Sequence, residues 1–189
     1  MPKAIILTQY SAPSEAAAAA VPGLVAGGAR ARVHYRSLED PGRYASIDYA
    51  EELAAIDERE NSMALPPGVA RYVCVESQDS GAYAEPHRVL MIVAFRVPGG
   101  RQDEVERWYQ QEHGPMLLRA PGWLRMRRYR LHRGAGGPLW THLALHELRD
   151  AAVLDSAERA LARSTEWRAR LEKESWFAQA GRFVYECLE

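Results

Sequence analysis

The chain repeats itself, and a fold must accommodate both copies. A basic residue, an apolar run, an aromatic and a proline occur at Lys3, Ala4 to Leu7, Tyr10 and Pro13. They return at Arg88, Val89 to Ala94, Phe95 and Pro98. Val21-Pro22-Gly23 returns as Ala120-Pro121-Gly122, and Tyr72-Val73-Cys74-Val75-Glu76 as Tyr185-Glu186-Cys187-Leu188-Glu189. Two copies of roughly 90 residues each suit either two small domains or one larger one. The division falls at 1–86 and 87–189. The copies are unequal: where the second has a charged, aromatic segment ending in Glu112-His113-Gly114-Pro115, the first has only an alanine-rich stretch. When one copy of a duplication loses an element, function tends to concentrate in the other, so the second half is where a site is sought.

The second half reads as β-α-β-β-α-β. Val89 to Phe95 is an unbroken apolar run, as in a strand buried on both faces, and Pro98-Gly99-Gly100 ends it. Residues 101–113 read as a helix with Val105, Trp108, Tyr109, Glu112 and Met116 on one stripe. Gly114-Pro115 is expected to interrupt it, because proline disfavours helical geometry in its predecessor. Strands follow over 123–133 and 139–148 around a hairpin turn at 134–138. A helical region over 150–173 breaks near Ser164, an expected N-cap, and a last strand covers 181–188. The first half reads as β, short connection, β (29–36), β (44–49), helix (51–59), loop and β (69–77), with its first helix missing or shortened. The expected fold class is α+β: tandem ferredoxin-like (βαββαβ) repeats packed as an intramolecular dimeric α/β-barrel. Such pairing within one chain suits a monomer, and a homodimer remains open.

The chain is 47% hydrophobic and 26% charged, with a formal net charge of −1. That balance gives no electrostatic ground for a nucleic-acid or anionic-membrane partner. Residues 16–21 are too short an apolar run for a leader or a membrane span. Cys74 and Cys187 occupy equivalent strand positions and read as small buried hydrophobes. The expected setting is the cytoplasm, where a disulfide would be unusual.

The residues that could carry chemistry cluster in the second half. His113 sits at a helix end beside the apolar stripe. An imidazole there suits proton transfer, or it simply caps the helix. Glu112 is an odd residue for that stripe and needs a partner, for which Arg125, Arg127 and Arg128 are candidates. Trp108, Tyr109 and Trp123 supply an aromatic wall or ordinary core. Arg127 and Tyr129 share a strand face, and either could hold a phenolate or carboxylate. His142 and His146 also share a face, as a proton shuttle or a pair of metal ligands. His34, His87 and His132 are expected at the surface. No phosphate loop, nucleophile elbow or dinucleotide fingerprint is present.

The string Val105-Glu106-Arg107-Trp108-Tyr109-Gln110-Gln111-Glu112-His113-Gly114-Pro115, followed by Pro121-Gly122-Trp123 and Arg128-Tyr129, resembles EthD-like domains of the dimeric α/β-barrel superfamily. The resemblance covers about 100 of the 189 residues. It implies a small-molecule pocket between helices and sheet. It also implies an enzyme that works without metal or organic cofactor on a cyclic or aromatic oxygenated compound, by isomerase, cyclase, lyase or monooxygenase chemistry. His113 would then move the proton, with Tyr129 or an arginine steadying the oxyanion. Other superfamily members bind haem, so a haem- or metal-dependent oxidoreductase stands as an alternative. A non-catalytic binding protein is a third. The first half lacks the Trp-Tyr-x-x-Glu-His segment, so the resemblance implies no second equivalent site there.

Overall fold

A computed structural model describes residues 4–11, 32–51, 53–56, 65–81 and 85–188. The connection between the first two strands, and with it the expected loss of the first helix, lies outside these residues. So do residues 52 and 57–59 of the expected helix over 51–59, of which a 3-10 turn at Leu53–Ala55 is seen.

The described residues group into two compact units. The first comprises 1–77, 129–139 and 184–189, the second 78–128 and 140–183. In the first unit, β1 (Ala4–Ser11) lies between β3 (Arg43–Ala50) and β4 (Val69–Gly81), antiparallel to both. β2 (Arg32–Ser37) pairs with the other edge of β3. The order β4-β1-β3-β2 is that of a ferredoxin-like repeat. Ile5 faces Tyr49 on one side and Cys74 on the other. Ala4, Ile6, Ala50, Ile56 and Val73 form a buried cluster on one face of this sheet. Successive side chains of a strand point to opposite faces, which puts Ala4 and Ile6 of β1 on the same face as Val73 of β4.

The second unit repeats the order as β8-β5-β7-β6, with β5 Val89–Phe95, β6 Trp123–Ala135, β7 His142–Leu148 and β8 Gly181–Leu188. β5 and β7 are antiparallel, Ile92 opposite Leu145. All seven residues of β7 are buried, and six of the seven in β5, as the unbroken apolar run of β5 requires. β4, β6 and β8 each contribute residues to both units. The fold class is the one the sequence implies: α+β, tandem ferredoxin-like repeats of the dimeric α/β-barrel type. No helix among the described residues is long and apolar enough to cross a membrane.

The helices of the second unit differ from expectation in an informative way. α1 (Gln102–Trp108) passes into a π-helical turn at Tyr109–His113 and then into α2 (Gly114–Leu117). Gly114-Pro115 therefore does not end the helix. Pro115 has no N–H to donate back along an α-helix, and the widened turn absorbs the mismatch through a bond from Gly114 N–H to the Tyr109 carbonyl. Further on, Ser156 caps α3 (Ala157–Arg163) and Thr165 caps α4 (Glu166–Leu171), each accepting from the backbone N–H three residues ahead. The expected break near Ser164 is present, but the N-cap is its neighbour Thr165; Ser164 closes α3 instead. A short α5 (Ser175–Ala178) precedes β8.

Candidate functional site

The second unit carries a half-open cavity of about 200 Å³. Met91, Val93 and Phe95, alternate residues of β5, form part of its floor. Trp108, Tyr109 and His113 enter from the first helical run, and Trp123 and His146 from β6 and β7. Phe177 closes one side.

The π turn decides which residues reach this cavity. An uninterrupted α-helix would carry the stripe of Val105, Trp108 and Tyr109 on to Glu112 and Met116. One extra residue in the turn moves it to His113 and Leu117, which are buried, and leaves Glu112 and Met116 half-buried. The bend also demands glycine at 114. A Cβ there would lie 2.6 Å from the Tyr109 carbonyl oxygen and 2.5 Å from Met126 Cε.

His113 is held on two sides. Its ring stacks on Trp108 and meets Tyr109 edge-on. Its Nδ1 lies 3.2 Å from the Ala162 carbonyl oxygen. A carbonyl can only accept, so Nδ1 carries the proton and Nε2 the lone pair. Burial first, then the positive charge of Arg168, pushes the His113 pKa down to about 3. The ring is thus neutral at pH 7. His146 is shifted the same way, chiefly by burial and next by His113 and Arg128. It meets Trp123 edge-on at 5.2 Å. Its Nδ1, like the indole N–H groups of Trp108 and Trp123, is buried without a hydrogen-bond partner among the described residues. Polar atoms buried in this way are costly unless something supplies the missing partner.

The other expected site residues have different employment. Glu112 does not pair with an arginine; it accepts a 2.7 Å bond from Thr165 Oγ1. The three arginines proposed for it are taken up elsewhere, because the π turn carries Glu112 away from the stripe. Arg125 forms a two-pronged pair with Asp79, Arg127 a buried pair with Glu147, and Arg128 pairs with Glu106 at 2.6 Å while lying over the Tyr109 ring. Arg127 does not line the cavity. Neither does Tyr129, which belongs to the first unit and donates to Glu76 at 3.4 Å.

His142 and His146 do share a face of β7, but four residues of strand span about 13 Å, too far for a metal pair. His142 binds Thr141 Oγ1 at 2.9 Å and lies 3.8 Å from Glu106. His132 is exposed as expected, whereas His34 and His87 are half-buried, His87 beside Glu147.

The cavity also has members that periodicity did not single out. Arg159, Arg163, Arg168 and Arg182 line it, from α3, α4 and β8. On a helical reading they are ordinary solvated charges; only tertiary packing gathers them.

No group of three or more His, Cys, Asp or Glu side chains suited to a metal occurs among the described residues. For haem, the tether from His113 Nδ1 to a carbonyl is typical of a histidine ligand. The space is not suitable. At about 200 Å³ the cavity falls below the roughly 300–1,000 Å³ of pockets for drug-sized ligands, and a porphyrin is larger still.

No family model matches the chain, and no curated protein matches it by sequence. Solved structures do match its fold. An anthrone oxidase-like protein superposes with a TM-score of 0.66 at 10% identity, over 98% of this chain and 91% of its own. A haem-degrading enzyme from Listeria monocytogenes does so with 0.58 at 8% identity, over 97% and 99%. A staphylococcal regulator of pathogenesis gives 0.63 at 7% identity, over 99% and 100%. The chain is therefore similar in fold to ferredoxin-like proteins of the dimeric α/β-barrel type, and a shared fold does not fix a shared function.

Proposed function

We propose that the protein is an enzyme that moves a proton on a small cyclic or aromatic oxygenated compound, with His113 as the base and without a cofactor. The observation that carries this reading is a neutral imidazole, its tautomer fixed by the Ala162 carbonyl, lining an aromatic cavity. His113 Nε2 takes a proton from carbon, the C–H electron pair passes onto a conjugated carbonyl or ring oxygen, and an imidazolium and an oxyanion result. Burial makes His113 a weak base in the empty cavity. Negative charge developing on the substrate offsets the field of Arg168 and raises its proton affinity when it is needed. His146, facing the same space, is the group best placed to accept or return a proton. The fate of the oxyanion separates isomerisation, ring closure, elimination and capture of dioxygen; all four begin with the same step. The fold shared with an oxidase-like protein supports keeping the last of these beside the other three. A cytoplasmic monomer or homodimer completes the proposal.

The experiment is deuterium exchange at carbon. The protein is incubated in D2O with a panel of enolisable cyclic ketones and polyhydroxylated aromatics and followed by NMR. The wild type is expected to accelerate exchange in at least one compound. His113→Gln, with its fold verified, should lose about a hundredfold of that rate. Exchange that survives the substitution would remove His113 as the base. A haem absorption band in the purified protein would replace the proposal with redox chemistry.

A further inference from the structure

The cavity has a charge pattern that proton transfer alone does not require. Arg159, Arg163, Arg168 and Arg182 converge on its lining from three elements. Arg168 is paired at 2.6 Å with Glu172, and Arg159 donates to the Leu154 carbonyl. Arg163 and Arg182 are exposed and have no ion-pair partner among the described residues. No carboxylate lines the cavity. Four guanidinium groups sharing one small space repel each other. Accordingly Arg159 is held below its usual pKa, by burial first and then by Arg182 and Arg163. Beneath them lie Trp108, Phe95 and Phe177, with the partnerless indole N–H groups of Trp108 and Trp123 and the partnerless Nδ1 of His146.

We infer that the cavity takes a single-ring aromatic carboxylate. Its carboxylate meets the arginines, its ring lies against the aromatic wall, and an oxygen substituent points towards His113. This rests on the proposed proton-transfer site and names its substrate class. Size supports one ring: a dry cavity of about 150 Å³ accommodates benzene, and this one is about 200 Å³. Charge supports the carboxylate, because planar guanidinium groups match it in two-pronged geometry. The aromatic walls separate this assignment from a mere anion patch, which would bind any oxyanion.

Trp108 and Trp123 make the test optical. Indole fluorescence is titrated with benzoate, with the isosteric neutral benzamide and with inorganic phosphate, for the wild type and for Arg163→Gln combined with Arg182→Gln. Both arginines are exposed, so the fold should survive, as circular dichroism would verify. Benzoate should bind the wild type at least tenfold more tightly than benzamide or phosphate. The double variant should lose most of the preference over benzamide while binding benzamide as before. Equal affinity for benzoate and benzamide would overturn the assignment, as would phosphate binding as tightly as benzoate. The two proposals fail separately. If benzoate is not preferred yet His113-dependent exchange is seen on neutral compounds, the carboxylate assignment falls and proton transfer stands. If benzoate is preferred but no exchange depends on His113, the reverse holds.

Discussion

The imidazole of His113 lies on the indole of Trp108 with ring centroids 4.2 Å apart and planes 17° from parallel. A ring so placed gains little water on protonation, so burial selects the neutral form even though the bond from Nδ1–H to the Ala162 carbonyl favours the charged one. Its folded pKa of about 3 lies below the ordinary value of 6.5. The unfolded chain therefore binds the proton first as pH falls. The stabilisation from neutral His113 is present above about pH 6.5 and is lost progressively as pH drops towards 3. His146 adds to the loss in the same direction. In thermal unfolding between pH 7.5 and pH 4, His113→Gln should lose less melting temperature over that range than the wild type. Parallel pH profiles would show that His113 does not titrate differently on folding.

Gly114 gives a second prediction, independent of chemistry. A methyl group there meets Met126 Cε, which can move, and the Tyr109 carbonyl, which cannot without opening the π turn. Gly114→Ala should destabilise the protein by about 1–3 kcal/mol, the range for overpacking a filled interior. Urea unfolding would measure it. Combining it with Met126→Ala should restore only part of the loss, since the backbone clash remains. Full restoration would assign the constraint to Met126 alone.

The buried pair of Arg127 and Glu147 is structural, and its behaviour should reveal that. The two residues are 3% and 4% exposed, so removing either leaves a charge stranded. Arg127→Met or Glu147→Leu alone should cost about 3–5 kcal/mol, whereas the double substitution should lie closer to the wild type than either single one. Benzoate affinity should be unchanged in whichever of these variants folds. A cycle in which the two costs simply add would mean that the pair is not coupled.

The strands were legible because their apolar runs are short, end at turn residues and recur between the copies: Val89 to Phe95 announces a buried strand, and Lys3 to Pro13 repeats its outline. His113, Trp108, Tyr109, Trp123 and His146 were legible as site candidates because they lie on faces already identified as inward, and all five line the cavity. Glu112 was misplaced for a physical reason: periodicity assumes 3.6 residues per turn, and a π turn breaks that count between Tyr109 and His113. Gly114-Pro115 marked the place of the disturbance but not its kind. Tyr129 and Arg127 share a strand face as expected, yet their partners Glu76 and Glu147 come from other strands. The four arginines stand on three elements, and no local pattern connects Arg182 with Arg159.

The widened turn at Tyr109–His113 couples segment length to helix type: at the present length only the wide turn keeps the imidazole inward. Gln110 and Gln111 are exposed, so exchanging them is cheap. Deleting either would return the helix to its regular phase with the imidazole still inward, whereas regularising the turn at its present length would rotate Glu112 into that place. An ungapped alignment to a relative with a regular helix would commit the same error on paper, matching Glu112 to whatever faces that relative's cavity. Relatives of this chain are thus better sought by allowing one residue of slack between Trp108 and Gly114 than by scoring the residues between them more strictly.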